Sequence, residues 1–233
     1  MSAWVRRLTG TTAEQARATL VCFPPGGGGS GAFTDWRARV PAYTAVYAVD
    51  PPGRGARIGE AAVESVSTYL ATVAAEVRAL SARRLVLVGV SLGGMLAFEC
   101  CRHVPADHLV VIAAVPPDHY DGAARDRSTG SVRDLVVAWG LTDPEVLEFD
   151  EFADVVLPPI ASDLRLGDSY DGRAAAPVAV PVLAVAGADD GIAPPDTVRG
   201  WKAFTTGEIR MSTVPGGHFV HDDVLPAVLS EVL

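Results

Sequence analysis

The sequence predicts an α/β fold, a mostly parallel central sheet flanked by helices, on three observations. Short aliphatic runs recur at 19–23, 45–49, 84–90, 108–115 and 181–186, the pattern of strands buried on both faces of a parallel sheet. Helical patterns separate these runs, and that alternation implies parallel strands joined by right-handed crossovers. The 233 residues suit one α/β domain spanning 1–233, because such folds commonly reach this length without dividing.

Residues 4–8 read as an edge strand. The run Thr19-Leu20-Val21-Cys22-Phe23 reads as a buried strand that ends at Pro24, Pro25 and the glycines Gly26 to Gly29. A glycine-rich turn after a strand exposes backbone N–H groups, which suits either phosphate or an oxyanion. No Gly-Lys-Ser/Thr follows, so the oxyanion reading is preferred. Residues 32–40 form a short helix with Phe33 and Trp36 facing the core, 45–49 the next strand, and 50–55 a turn with Arg54 exposed. In 63–80, Val63, Val66, Leu70, Val73, Val77 and Leu80 fall at threes and fours, giving an amphipathic helix against the sheet. Residues 84–90 then form a strand and 92–101 a buried helix, with 108–115 as the following strand. From 118 to 176 the strand pattern lapses into helices at 132–139, 144–149, 152–157 and 160–170 with no separate core, read as a helical lid insertion over the carboxyl edge of the sheet. Strands at 181–186 and 208–214, a helix at 194–204 and a C-terminal helix at 222–233 complete the chain.

The chain is organised around Gly89-Val90-Ser91-Leu92-Gly93, a G-x-S-x-G turn set between a buried strand and a buried helix. This is the nucleophile elbow, in which the glycines allow strand and helix to approach and the serine hydroxyl points out of the sheet. A serine hydroxyl is a weak nucleophile at neutral pH. It needs an imidazole to take its proton and a carboxylate to orient that imidazole. Of five histidines, His218 alone lies in a glycine-rich loop directly after a sheet strand; His119 and His221 remain open by proximity, while His103 ends a helix and His108 begins a strand. Asp189 and Asp190 both follow the 181–186 strand, and Asp190 is preferred. The order Ser91, Asp190, His218 is that of α/β hydrolases.

Composition narrows the alternatives. A net charge of −9 argues against nucleic acid as a partner, and any acidic partner must meet a local basic patch such as Arg54 with Arg57, Arg83 with Arg84, or Arg125 with Arg127 and Arg133. Each of these also reads as solvated surface charge. The first eight residues hold no apolar run long enough for a signal peptide or a membrane span, so a cytoplasmic protein is expected. Cys22, Cys100 and Cys101 are odd in number, lie in apolar segments and lack zinc spacing, so they read as reduced core residues.

With these pieces placed, the chain resembles the type II thioesterases, discrete editing hydrolases that accompany polyketide synthases and nonribosomal peptide synthetases. Phe23-Pro24-Pro25-Gly26-Gly27-Gly28 with Phe33 and Trp36, then Pro52-Gly53-Arg54 with Arg57 and Glu60, then Trp201, Thr205 and Pro215-Gly216-Gly217-His218-Phe219 carry the resemblance. It implies an α/β-hydrolase fold, a Ser91, Asp190 and His218 triad, and an oxyanion hole from the backbone N–H groups of Gly26 and Leu92. The implied substrate is an acyl group on the phosphopantetheine arm of an acyl or peptidyl carrier protein, with no metal or other cofactor, no nucleic-acid or membrane partner, and a monomeric enzyme. Two residues depart from the family pattern: Val90 stands where histidine is usual, and Gly26 where alanine is common. Thioesterase domains fused to synthases carry their acid where Ala113 stands, which favours the discrete type. Product offloading, acyl transfer, small-molecule ester hydrolysis and an inactive carrier-binding role are the competing expectations.

Overall fold

The strand Leu85–Val90 is aliphatic apart from one glycine, and five of its six residues are buried; it lies near the middle of a seven-stranded sheet. In chain order the strands are β1 (Val5–Arg7), β2 (Ala18–Phe23), β3 (Thr44–Val49), β4 (Leu85–Val90), β5 (His108–Ile112), β6 (Val182–Gly187) and β7 (Ile209–Val214). Across the sheet their order is β1-β3-β2-β4-β5-β6-β7. Every pairing is parallel except that of β1 with β3. The computed structural model describes residues 3–140, 144–220 and 229–233. The predicted C-terminal helix at 222–233 falls largely outside these residues, as does His221.

Parallel strands with continuous aliphatic sequence need cover on both faces. One face carries α1 (Val66–Ala79) and α2 (Leu92–Cys100), which bury Tyr69, Val73, Met95 and Phe98 with Trp201 and Phe204. The other holds Phe33, Trp36, Leu229 and Val232. Because β2, β4, β5, β6 and β7 run in one direction, the residues that follow them gather along one edge of the sheet, where ligands bind in open α/β sheets.

Several elements differ from their sequence pattern. The helix expected at 32–40 is a 3₁₀ helix, Ser30–Ala38, and the one at 194–204 divides into α6 (Pro195–Val198) and a 3₁₀ turn, Arg199–Phe204. β5 stops at Ile112 because Ala113 takes a positive φ of 49°. Arg54, expected exposed, and Arg57 are buried: one faces a carboxylate of the helical insertion, the other Glu60 and the Asp50 carbonyl. They therefore form neither a basic patch nor solvated surface.

Between β5 and β6 the chain forms α3 (Thr129–Ala138), α4 (Pro144–Leu147) and α5 (Asp150–Asp168). The separate helices expected at 152–157 and 160–170 are one helix of 19 residues that runs through Pro158 and Pro159. Each proline removes a backbone donor, but the carbonyls that lose donors belong to Asp154 and Val155, both exposed. The opposite stripe, Ala153, Leu157 and Ala161, is buried against Val132, Val136 and Leu147. Packing along that stripe outweighs the local preference to break. This cluster is a small core of the insertion's own, contrary to the expectation that it has none.

Candidate active site

The turn from β4 into α2 admits no connecting residues beyond Ser91. A Cβ at Gly89 would collide with the carbonyl of Gly93, and one at Gly93 with the carbonyl of Phe23, so both positions require glycine for strand, turn and helix to meet. Ser91 itself sits at φ 53°, ψ −123°, a region that glycine favours and other residues enter at a cost. Its N–H donates to the Ile112 carbonyl at 2.9 Å and its own carbonyl accepts from Gly94 at 2.8 Å. Those bonds hold the strain in place.

His218 follows β7 in the loop 215–219, and its Nε2 lies 3.0 Å from Ser91 Oγ. Its Nδ1 lies 3.1 and 3.0 Å from the two carboxylate oxygens of Asp190. An ionised carboxylate only accepts, so Nδ1 carries the proton and Nε2 presents its lone pair to the serine hydroxyl. Asp190 has a fully buried side chain, and its Oδ1 also accepts from the N–H groups of Ile192 and Ala193 at 2.8 and 2.9 Å. Asp189 points into solvent and contributes only its N–H, to Gly216. Gly187 opens the Gly187-x-x-Asp190-x-x-x-Pro194 turn on which the sequence favours Asp190, and a Cβ there would meet the carbonyls of Gly216 and Gly217. Its bareness lets the histidine loop close against the end of β6.

Among the other described histidines, His103 is exposed and His108 begins β5, where burial lowers its pKa. His119 borders the Ser91 cavity beside Asp118. Burial pushes the thiols of Cys22, Cys100 and Cys101 up, and all three are free. Among the described residues no group of three or more His, Cys, Asp or Glu is placed to hold a metal ion, and no helix is long and apolar enough to cross a membrane.

Ser91 and His218 open into a cavity of about 270 Å³ lined by Gly26, Leu92, Tyr120, Trp139 and Ile160 among others. From the insertion, Trp139 and Ile160 line this cavity, whereas Val136 and Leu157 are turned into the insertion's own core. The glycine loop after β2 forms a second wall. There Gly28 N–H donates to the Pro25 carbonyl at 2.9 Å and Gly27 N–H to Asp163 Oδ2 at 2.7 Å. Asp163, on α5, is ion-paired with Arg54. Burial raises the Asp163 pKa, against the guanidinium and the Gly27 N–H, which favour the charged form. A larger cleft of about 430 Å³ lies on the far side of the same loop, between Arg6, Arg37 and Asp50, and contains none of the three hydrogen-bonded residues.

Residues 18–232 match the family model described as the thioesterase domain. The chain is 30% identical to the AMB antimetabolite synthetase AmbE of Pseudomonas aeruginosa over 92% of its own length but only 10% of that protein's. It superposes on RedJ, a thioesterase from the prodiginine biosynthetic pathway in Streptomyces coelicolor, with a TM-score of 0.84, 32% identity and coverage of 95% of this chain and 87% of that one. BorB, the type II thioesterase of the borrelidin biosynthetic cluster, gives the same TM-score at 25% identity over 99% and 98% of the two chains. With an α/β-hydrolase sheet, a strained serine at its centre and a match covering nearly the whole sequence, the chain belongs to the thioesterase family.

Proposed function

We propose that this protein is a discrete type II thioesterase that hydrolyses acyl groups from the phosphopantetheine arms of acyl or peptidyl carrier proteins in polyketide or nonribosomal peptide synthesis. The observation that carries the reading is the unbroken chain of contacts from Ser91 through His218 to Asp190 at the floor of the cavity. Ser91 Oγ attacks the thioester carbonyl as His218 Nε2 takes its proton, and Asp190 stabilises the imidazolium. The N–H groups of Gly26 and Leu92 receive the oxyanion, each contributing about 3 kcal/mol. Collapse of the tetrahedral intermediate expels the phosphopantetheine thiol, which takes its proton from His218. Water then attacks the acyl-serine with His218 again as base, and the acid leaves. The phosphopantetheine arm is part of the substrate, and the scheme calls on no metal or other cofactor.

The editing role is supported by the modest cavity and by Ala113. Directly after β5, this alanine is buried at the cavity wall, in the place where fused domains keep their acid, while Asp190 after β6 pairs with the histidine. A second reading, product release from a synthase, is favoured by the similarity to a stretch of AmbE. Intact-mass analysis of acylated carrier proteins incubated with wild-type enzyme and Ser91→Ala separates the two. Editing predicts that acetyl, propionyl and butyryl groups are removed faster than long or elaborated chains, with carrier-bound thioesters outrunning the matching free ones, and that Ser91→Ala removes none. A kcat/KM that climbs with chain length favours product release, and equal rates for free and carrier-bound thioesters favour a general esterase.

A further inference from the structure

Resting on the oxyanion-hole assignment above, we infer that Asp163 and Arg54 are positioning residues that lock the Gly26 N–H toward the reacting carbonyl by clamping the glycine loop to α5. Gly28 N–H bonds back to the Pro25 carbonyl, so residues 25–28 form a turn with Gly27, at φ 78°, in its third place. In a planar trans peptide the N–H points opposite to the C=O. Fixing the Pro25 carbonyl on the inside of the turn therefore sends the Gly26 N–H outward. The next peptide plane, between Gly26 and Gly27, lies outside that closing bond, and glycine offers little resistance to its rotation. Its N–H is the one that Asp163 Oδ2 accepts. With both peptide planes flanking Gly26 held, the donor has a single aim.

Arg54 holds the carboxylate in turn. Its guanidinium is ion-paired with Asp163 and donates to the Pro52 carbonyl at 2.8 Å and to the Pro159 carbonyl at 3.2 Å, so it joins its own turn to α5. The side chains are only 5% and 9% exposed. An ion pair buried this deeply is a poor device for stability, since apolar replacements of similar size are often neutral or better. Its directional bond to the N–H of Gly27, the residue next to Gly26 at the Ser91 cavity, is what an apolar pair would lack. Ile160, one turn earlier on α5, fills the space that a Cβ at Gly27 would occupy, so helix and loop meet through shape as well as charge.

The test is a set of variants assayed with butyryl carrier protein, each checked by its melting temperature. Asp163→Glu keeps the charge pair but displaces the carboxylate by one methylene. Arg54→Met/Asp163→Ala removes both charges and the acceptor, whereas Arg54→Met/Asp163→Asn removes the charges but keeps an oxygen for the Gly27 N–H. Misaimed donors of this kind lower turnover by about 10- to 100-fold. We expect such a fall in kcat for Arg54→Met/Asp163→Ala with KM within about twofold of wild type, a smaller fall in kcat of the same character for Asp163→Glu, and at least a fivefold recovery of kcat in Arg54→Met/Asp163→Asn relative to the alanine double variant. Wild-type kcat in either Asp163→Glu or the alanine double variant overturns the clamp, as does failure of the asparagine variant to recover. If the alanine double variant does not fold, Asp163→Glu decides alone. Ser91→Ala, run in parallel, separates the two levels: if it is inactive, any of these failures counts against the clamp only, and if it is active the serine mechanism falls and the clamp with it.

Discussion

Asp189 and Asp190 are neighbours on one turn with opposite environments. One is exposed; the other is sealed beneath His218 with two backbone N–H groups on its Oδ1. Asp190→Asn is expected to lower kcat by about 10⁴-fold, because an amide in place of the carboxylate favours the wrong imidazole tautomer, while Asp189→Asn stays within about twofold. Steady-state kinetics on one carrier substrate checks both. Ser91 supports a second prediction at this scale. Its φ of 53° carries strain of about 1–3 kcal/mol, so Ser91→Gly is expected to be inactive yet to melt above wild type, whereas Ser91→Ala keeps the strain and does not gain. Ser91, His218 and the choice of turn for the acid were legible in the sequence because each is announced by its local backbone: a strand meeting a helix across two glycines, or a glycine-rich loop after a strand. Arg54 and Asp163 were not. Arg54 reads locally as an exposed turn residue, and Asp163 as one more acid on a helix; only the fold brings them together.

At the scale of elements, parallel strands were legible from their unbroken aliphatic runs, which leave few other burial schemes open. The insertion was less so, because its helices depend on each other rather than on local sequence, and Pro158-Pro159 reads as a break that packing overrides. Its carboxyl end is tied down at Asp168, where Oδ2 accepts from Arg127 Nε at 2.8 Å and Oδ1 from Arg127 and Arg125 at 3.0 Å each. Burial favours the protonated acid, but the two guanidiniums outweigh it and hold the Asp168 carboxyl below its ordinary 3.8. The unfolded chain therefore takes up this proton first as pH falls. The stabilisation is complete above that ordinary value and disappears as pH drops through the lowered one. Asp168→Asn is expected to cost about 1–3 kcal/mol at pH 7, lowering Tm by about 2–12 °C in a chain of this size. Melting curves at pH 7 and pH 3 check it: the gap between variant and wild type narrows at the lower pH.

The whole molecule carries a net charge of −9, and carrier proteins, in the proposed role, are acidic too. Long-range attraction between them is then absent, and salt relieves repulsion rather than weakening capture. Raising NaCl from 50 to 300 mM is expected to leave kcat/KM for an acyl carrier protein unchanged or increased. A steep fall would instead reveal a basic docking face strong enough to override the net charge. The order of the strands has a consequence of a different kind, for the path by which the protein comes to be active. Ser91 and His218 are separated by 127 positions in the chain, and the loops that flank them rise from β2, β4, β6 and β7, spread across most of the sheet. Contacts so distant in sequence form late, after loop closure has been achieved. During refolding, helical signal should return before Ser91 regains reactivity toward a fluorophosphonate, and chains interrupted before β7 should possess an elbow without a base, ordered at the centre yet chemically silent.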